Sequence, residues 1–286
     1  MTSKPREPIA DSEAASGALM AELFASVGID VQDEKAYNSL VEYVDGNGAR
    51  TRVERGHASL HGRCWKIGNG LEIWSVLYER GTTAYYADCR PAFRSRYLRV
   101  ILPWELIEYD EDGEAIVRGC VEEGQEVIFE LQNLTEIHHH VFRQSHLHVA
   151  LAGLAYAAHI TPFPPSDALH SYPHQFELAE QFEEFANEAC ENDYLISGHV
   201  LAWREVQNPE TANELVWIYV DTGKLPLEIL VNRRALRGPL AVGAAISANI
   251  WLQGHVLAID DIMARYEGVD REYEASDFWS ALRRDN

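Results

Sequence analysis

Apolar residues change their spacing several times along the chain. Leu19, Leu23 and Val27 stand four apart, with Gly28 placed to cap a helix. A second helix fits Asp33 to Val44, with Tyr37, Leu40, Val41 and Val44 on one side. Asp45-Gly46-Asn47-Gly48 then breaks the chain. From about residue 58 the pattern turns to strands. A short first strand holds Cys64 and Trp65, and 71–78 is apolar, aromatic and β-branched. Residues 82–88 are similar, and 97–103 carries Leu98, Val100 and Leu102 at every second position. Asp110-Glu111-Asp112-Gly113 has the chemistry of a hairpin tip, and 115–121 and 126–131 read as further strands. Helical spacing returns with Leu147, Leu151, Leu154, Ala155 and Ala158. Pro162, Pro164 and Pro165 stop that element, and another helix is expected over 174–191. Strands resume at 198–205, 214–221, 227–232 and 245–256, followed by a tail of helical character.

Two strand-rich stretches recur with related landmarks. The first runs from Gly62 and Trp65 through Trp74 to Gly124 and Leu131-Gln132. The second runs from Gly198 and Trp203 through Trp217 to Gly243 and Leu252-Gln253. The expected fold is α+β, mainly β: two antiparallel, barrel-like modules of OB-like outline. A helical, proline-hinged connector joins them, and a helical segment precedes both. The expected boundaries are 1–54 for a polar tail and helices, 55–133 for the first module, 134–194 for the connector, 195–258 for the second module and 259–286 for the tail.

Composition narrows the functional classes. With 286 residues, 47% of them hydrophobic and 24% charged, the chain has the makeup of a soluble globular protein. Its formal net charge of −21 repels phosphate backbones and anionic bilayers, which argues against nucleic-acid and membrane binding and favours a basic protein partner. No stretch approaches the roughly 20 apolar residues of a membrane-spanning helix. Cys64, Cys89, Cys120 and Cys190 form no Cys-x-x-Cys pair, and reduced thiols in a cytoplasmic protein are the expected state.

No P-loop, nucleophile elbow or His-Glu-x-x-His motif is present, and no cofactor is implied. Gly68-Asn69-Gly70 is turn chemistry. Histidines crowd one segment, at His138, His139, His140, His146, His148, His159, His170 and His174. None of those between 138 and 148 are three or four residues apart, so a helix there brings no two onto one face. No shared metal site is expected in that stretch. Arginines cluster after the third strand of each module, at Arg90, Arg94, Arg96 and Arg99 and at Arg233, Arg234 and Arg237. Of these, Arg94, Arg96, Arg233 and Arg234 are the candidates for an anion-accepting surface, because the guanidinium fork matches carboxylate and phosphate. The opposing expectation is that each is paired with one of the 45 acidic residues. Trp74 and Trp217 occupy matching apolar strands and are expected in the core. Together these features describe a non-enzymatic binding or interaction protein, whose partner is a basic protein or a small anionic ligand. The alternatives are a metal-dependent enzyme using the His138–His174 segment and an OB-type nucleic-acid binder, the latter opposed by the charge.

Overall fold

The computed structural model describes residues 20–109, 112–122, 124–161, 174–182 and 189–257. The expected proline hinge at 162–165, the C-terminal tail and the polar N-terminus lie outside these residues. Two helices open the described chain: α1, over 20–26, and α2, Glu34–Asn47. The second begins where expected because Asp33 caps it, its carboxylate accepting from the Ala36 N–H at 2.7 Å. Leu23, Phe24 and Val27 of α1 are buried.

The molecule is mainly β, in two sheets. The first is an antiparallel meander of β1 (Ala49–Arg55), β2 (Ala58–Gly68), β3 (Leu71–Arg80) and β4 (Thr83–Phe93). Asn69 and Gly70 close the β2–β3 hairpin with φ of 55° and 82°, the left-handed pair that a tight two-residue turn requires. β3 is covered on both faces. Its Leu71 and Ile73 pack under α1 and α2, while Val76 and Tyr78 join the core of the second sheet.

The second sheet holds ten strands: β5 (Leu98–Tyr109), β6 (Glu114–Val121), β7 (Glu126–Leu131), β8 (Leu147–Thr161), β9 (Gln175–Leu178), β10 (Asp193–Gln207), β11 (Glu214–Asp221), β12 (Pro226–Asn232), β13 (Leu236–Arg237) and β14 (Ala245–Val256). Its spine is the long antiparallel pair β8–β14. Both outer edges of the spine are shared. β5 pairs antiparallel with the start of β8, and β12 pairs parallel with it farther along. β10 pairs antiparallel with the first half of β14, and β7 parallel with its end. Since β5–β6–β7 and β10–β11–β12 are each consecutive antiparallel neighbours, the pairing path returns to the spine on both sides.

Two expectations are corrected here. The strands of 55–133 do not form one sheet of their own: β2–β4 belong to the first sheet, while β5–β7 hydrogen-bond into the same sheet as β10–β14. The connector is not helical over its first half, because Leu147–Thr161 is a strand. Its leucines and alanines read as helix formers, yet the small size of its alanines and glycine answers to crowding. A Cβ on Gly153 would stand 2.7 Å from Ile250 Cδ1 and 3.2 Å from Ile229 Cγ2. β8 is buried on both faces over most of its length, so its apolar run carries no alternation to distinguish it from a helix. The expected helix over 174–191 begins instead with β9 and a short 3-10 turn at Ala179–Gln181.

Candidate binding site

The first sheet lays its edge strand β4 against β6 and β7 of the second. Asp88 and Arg90, two apart on β4, therefore share one face. That face meets Glu114 and Ile116 of β6 and Glu130 of β7, where Ile116 and Glu130 are register partners. Arg90 is buried. It donates to Glu130, lies 3.5 Å from Asp88, and donates from Nη2 to the Gly113 carbonyl. Gly113, with φ of 66°, turns the β5–β6 hairpin there, and a side chain at this position would run into Val76 and Ala87. A cavity of about 470 Å³ opens beside this group. Its lining mixes apolar residues (Met20, Leu23, Ile116 and Trp251) with carboxylates and the Arg90 guanidinium.

Three carboxylates around one guanidinium cannot all ionise without cost. One oxygen from each of Asp88, Glu114 and Glu130 falls within 4.8 Å of the others. Burial pushes the Glu130 carboxyl up to about 8, against the pull of Arg90 and with the help of Glu114 and Asp88. Asp88 and Glu114 are also raised, in each case chiefly by burial. Burial disfavours the charge on Arg90, but Glu130 and Asp88 outweigh it and hold the guanidinium protonated. Near neutral pH Glu130 thus holds its proton, and burial raises its two carboxyl neighbours in the same direction. At the rim, Glu191 accepts from Arg118 at 2.8 Å and from the Tyr109 hydroxyl at 3.3 Å.

The four arginines singled out from the sequence fall into two places. Arg94 and Arg96 lie in the loop joining the two sheets, and two buried glutamates clamp that loop. Glu72 pairs with Arg94 at 2.9 Å and accepts from the Trp74 indole at 3.0 Å. Glu228 accepts from the Ser95 hydroxyl, from the Arg96 backbone N–H at 2.7 Å and from the Trp217 indole at 2.7 Å. Trp74 and Trp217 are 0% and 4% exposed, as expected of core residues. Arg233 and Arg234 begin the 3-10 turn after β12 and are exposed, Arg234 lying 3.9 Å from Asp30. Glu228 and Arg233 are separated by the length of β12, about 17 Å at strand rise, so the two pairs do not converge. Arg234 does line a second groove, together with Arg237.

Among the histidines, His138 and His140 rings lie 5.7 Å apart and His146 and His148 rings 5.5 Å apart. Among the described residues, the group of three or more side chains able to hold a metal is the carboxylate trio, not a histidine set. Sequence reasoning missed that trio because Glu130 alternates with Val127, Phe129 and Leu131 as a solvent-facing glutamate would.

Residues 183–254 match a family model described as a domain of unknown function from an E. rectale gene description, DUF3881. The matched span takes in β10 to β13 and most of β14. The chain is similar to that domain over this stretch. No curated protein and no solved structure matches the chain. Among the described residues, no helix is long and apolar enough to cross a membrane.

Proposed function

We propose that this chain is a non-enzymatic binding protein, and that its acidic cavity receives a lysine or arginine side chain from a basic partner. The observation that carries the reading is the two-part lining of the cavity. Met20, Leu23, Ile116 and Trp251 give it apolar surface, and Asp88, Glu114 and Glu130 bring carboxylates to the same cavity, beside Arg90. A lysine or arginine has the matching profile, a methylene stem ending in a cation. The net charge of −21 favours encounter with a basic surface. The proton held near Glu130 would leave as the cation enters, which links binding to pH.

We also read the two halves of the ten-stranded sheet as copies of one OB-like unit. In support, β5–β6–β7, a 3-10 turn and β8 follow the same order as β10–β11–β12, a 3-10 turn and β14, with the two-residue β13 added before β14. In each half the first strand pairs antiparallel with one spine strand and the third pairs parallel with the other. Each path of five strands has one parallel and four antiparallel pairings, as in a small closed Greek-key barrel. On this reading the repeat spans 98–161 and 193–256.

The test is titration of a lysine-rich decapeptide against the protein and its Glu114→Gln variant, in two buffers of different protonation enthalpy. Binding should release a proton, strengthen as pH rises towards 8, and weaken about ten-fold or more in the variant, the usual scale for losing a charged partner. Equal binding by both proteins overturns the reading. So does tight Mg²⁺ or Mn²⁺ binding with no peptide binding, which would make the carboxylates a metal site.

A further inference from the structure

A second groove, of about 690 Å³, lies on the outer face of the ten-stranded sheet. Strand register builds it. Arg237 on β13 is opposite His159 on β8, His159 is opposite Ser247 on β14, Ser247 opposite Ser197 on β10, and Ser197 opposite Gln175 on β9. Directly opposed residues point to the same side of a sheet, so five polar side chains form one lateral row across five strands. The neighbouring row, Leu236, Ala158, Ala248, Ile196 and Phe176, is buried on the other face. The alternation fixes the polar row outward and the apolar row inward. Ser197 Oγ donates to Gln175 Oε1 at 3.3 Å, as side-by-side placement requires.

The charge of this row is unlike that of the protein. In a chain with 45 acidic and 24 basic residues, the described lining of the groove holds Arg234, Arg237 and His159 and no aspartate or glutamate. Acids stand at its margins. Glu177 is two register positions from the row and accepts from Gln175 Nε2 at 3.3 Å, and Asp193 accepts from the hydroxyl of groove-lining Tyr156 at 2.9 Å. Asp30 stands 3.9 Å from Arg234. Asn249, two residues on from Ser247 along β14, shares this face and lines the same groove.

The geometry points to a binding site for a small hydroxylated oxyanion, of the sugar-phosphate or sugar-acid class. Arg234 and Arg237 hold the oxyanion by their planar forks, with His159 beside them. Ser197, Ser247 and Gln175 meet ligand hydroxyls, with the Asn249 side chain beside them. This site lies on the face formed by β13, β8, β14, β10 and β9, apart from the acidic cavity between β4 and β6–β7. It does not depend on the function proposed there.

Calorimetric titration of the full chain with glucose 6-phosphate, glucuronate, inorganic phosphate and glucose tests it. Glucose 6-phosphate or glucuronate should bind with a Kd below about 1 mM, and glucose alone should bind far more weakly. The difference between the two anions says whether the head group is phosphate or carboxylate. Arg237→Ala should weaken binding about ten-fold, and Arg237→Lys, which keeps the charge but loses the fork, by less. Asn249→Leu should weaken the sugar anions but not inorganic phosphate. Arg237 is exposed, so its variants should keep the fold, and they should still bind the lysine-rich peptide at wild-type affinity. Failure of both sugar anions to bind, or binding unaffected by Arg237→Ala, overturns the proposal. Equal affinity for inorganic phosphate and glucose 6-phosphate removes the role given to the hydroxyls.

Discussion

Glu130 shows how one residue can tie stability to pH. Below its ordinary value of 4.5 the carboxyl is protonated in both folded and unfolded chains. Between 4.5 and about 8 the unfolded chain loses a proton that the folded chain keeps, so the folded state is progressively disfavoured as pH rises. Above 8 both are ionised and the trend stops. Asp88 and Glu114 act with the same sign. Stability measured by urea unfolding should therefore decline from pH 5 to pH 8, and Glu130→Gln should flatten that decline while retaining an oxygen for Arg90 to donate to. A variant as steep as the wild type would mean that Glu130 is ionised throughout. None of this could be read from the chain. Asp88, Glu114 and Glu130 are ordinary alternating strand residues until the first sheet is laid over them. Arg90 stood within the arginine cluster noted in the sequence, but nothing marked it as the buried member. Arg94 illustrates the opposite case: the pattern drew attention to it, and its guanidinium is engaged by Glu72. Arg234 falls between the two, bridged loosely to Asp30 and still lining the groove on the outer face.

At the scale of elements, the strands with period-two alternation or dense β-branching were legible: β2 to β7, and β10, β11, β12 and β14, form close to where the pattern puts them. The start of α2 near Asp33 and Asn69-Gly70 as a turn were legible for the same reason, because the chemistry acts within a few residues. β8 was not. Its hydrogen-bonded neighbours in the sheet, β12 and β14, come from far along the chain, and their side chains force small residues into a run that locally resembles a helix. This makes the tight fit at Gly153 testable. Gly153→Leu should destabilise the protein by about 1–3 kcal/mol, the usual range for overpacking, because its side chain would meet Ile250 and Ile229. A thermal melt unchanged from wild type would show that the layer has room to give.

At the scale of the whole molecule, two long-range devices make one body of the two sheets. The loop between them is fastened by Glu72 and Glu228, each of which also takes the indole proton of a buried tryptophan. The spine pair β8–β14 serves both halves of the larger sheet, so the halves are not independent pieces. That sharing has a consequence for how the protein is made. A nascent chain leaves the ribosome with β7 and β8 already synthesised, yet the strand that pairs with both arrives last among the described strands. Until β14 emerges, those edges are open to any other extended chain. A chain ending at Gly243 should accordingly accumulate as aggregate rather than as a half-sized folded unit, as sedimentation of the expressed fragment would reveal. A soluble, monomeric fragment with native-like strand content would mean that the first half can close alone. The full-length protein is expected to depend on chaperones during synthesis more than its final compactness would suggest.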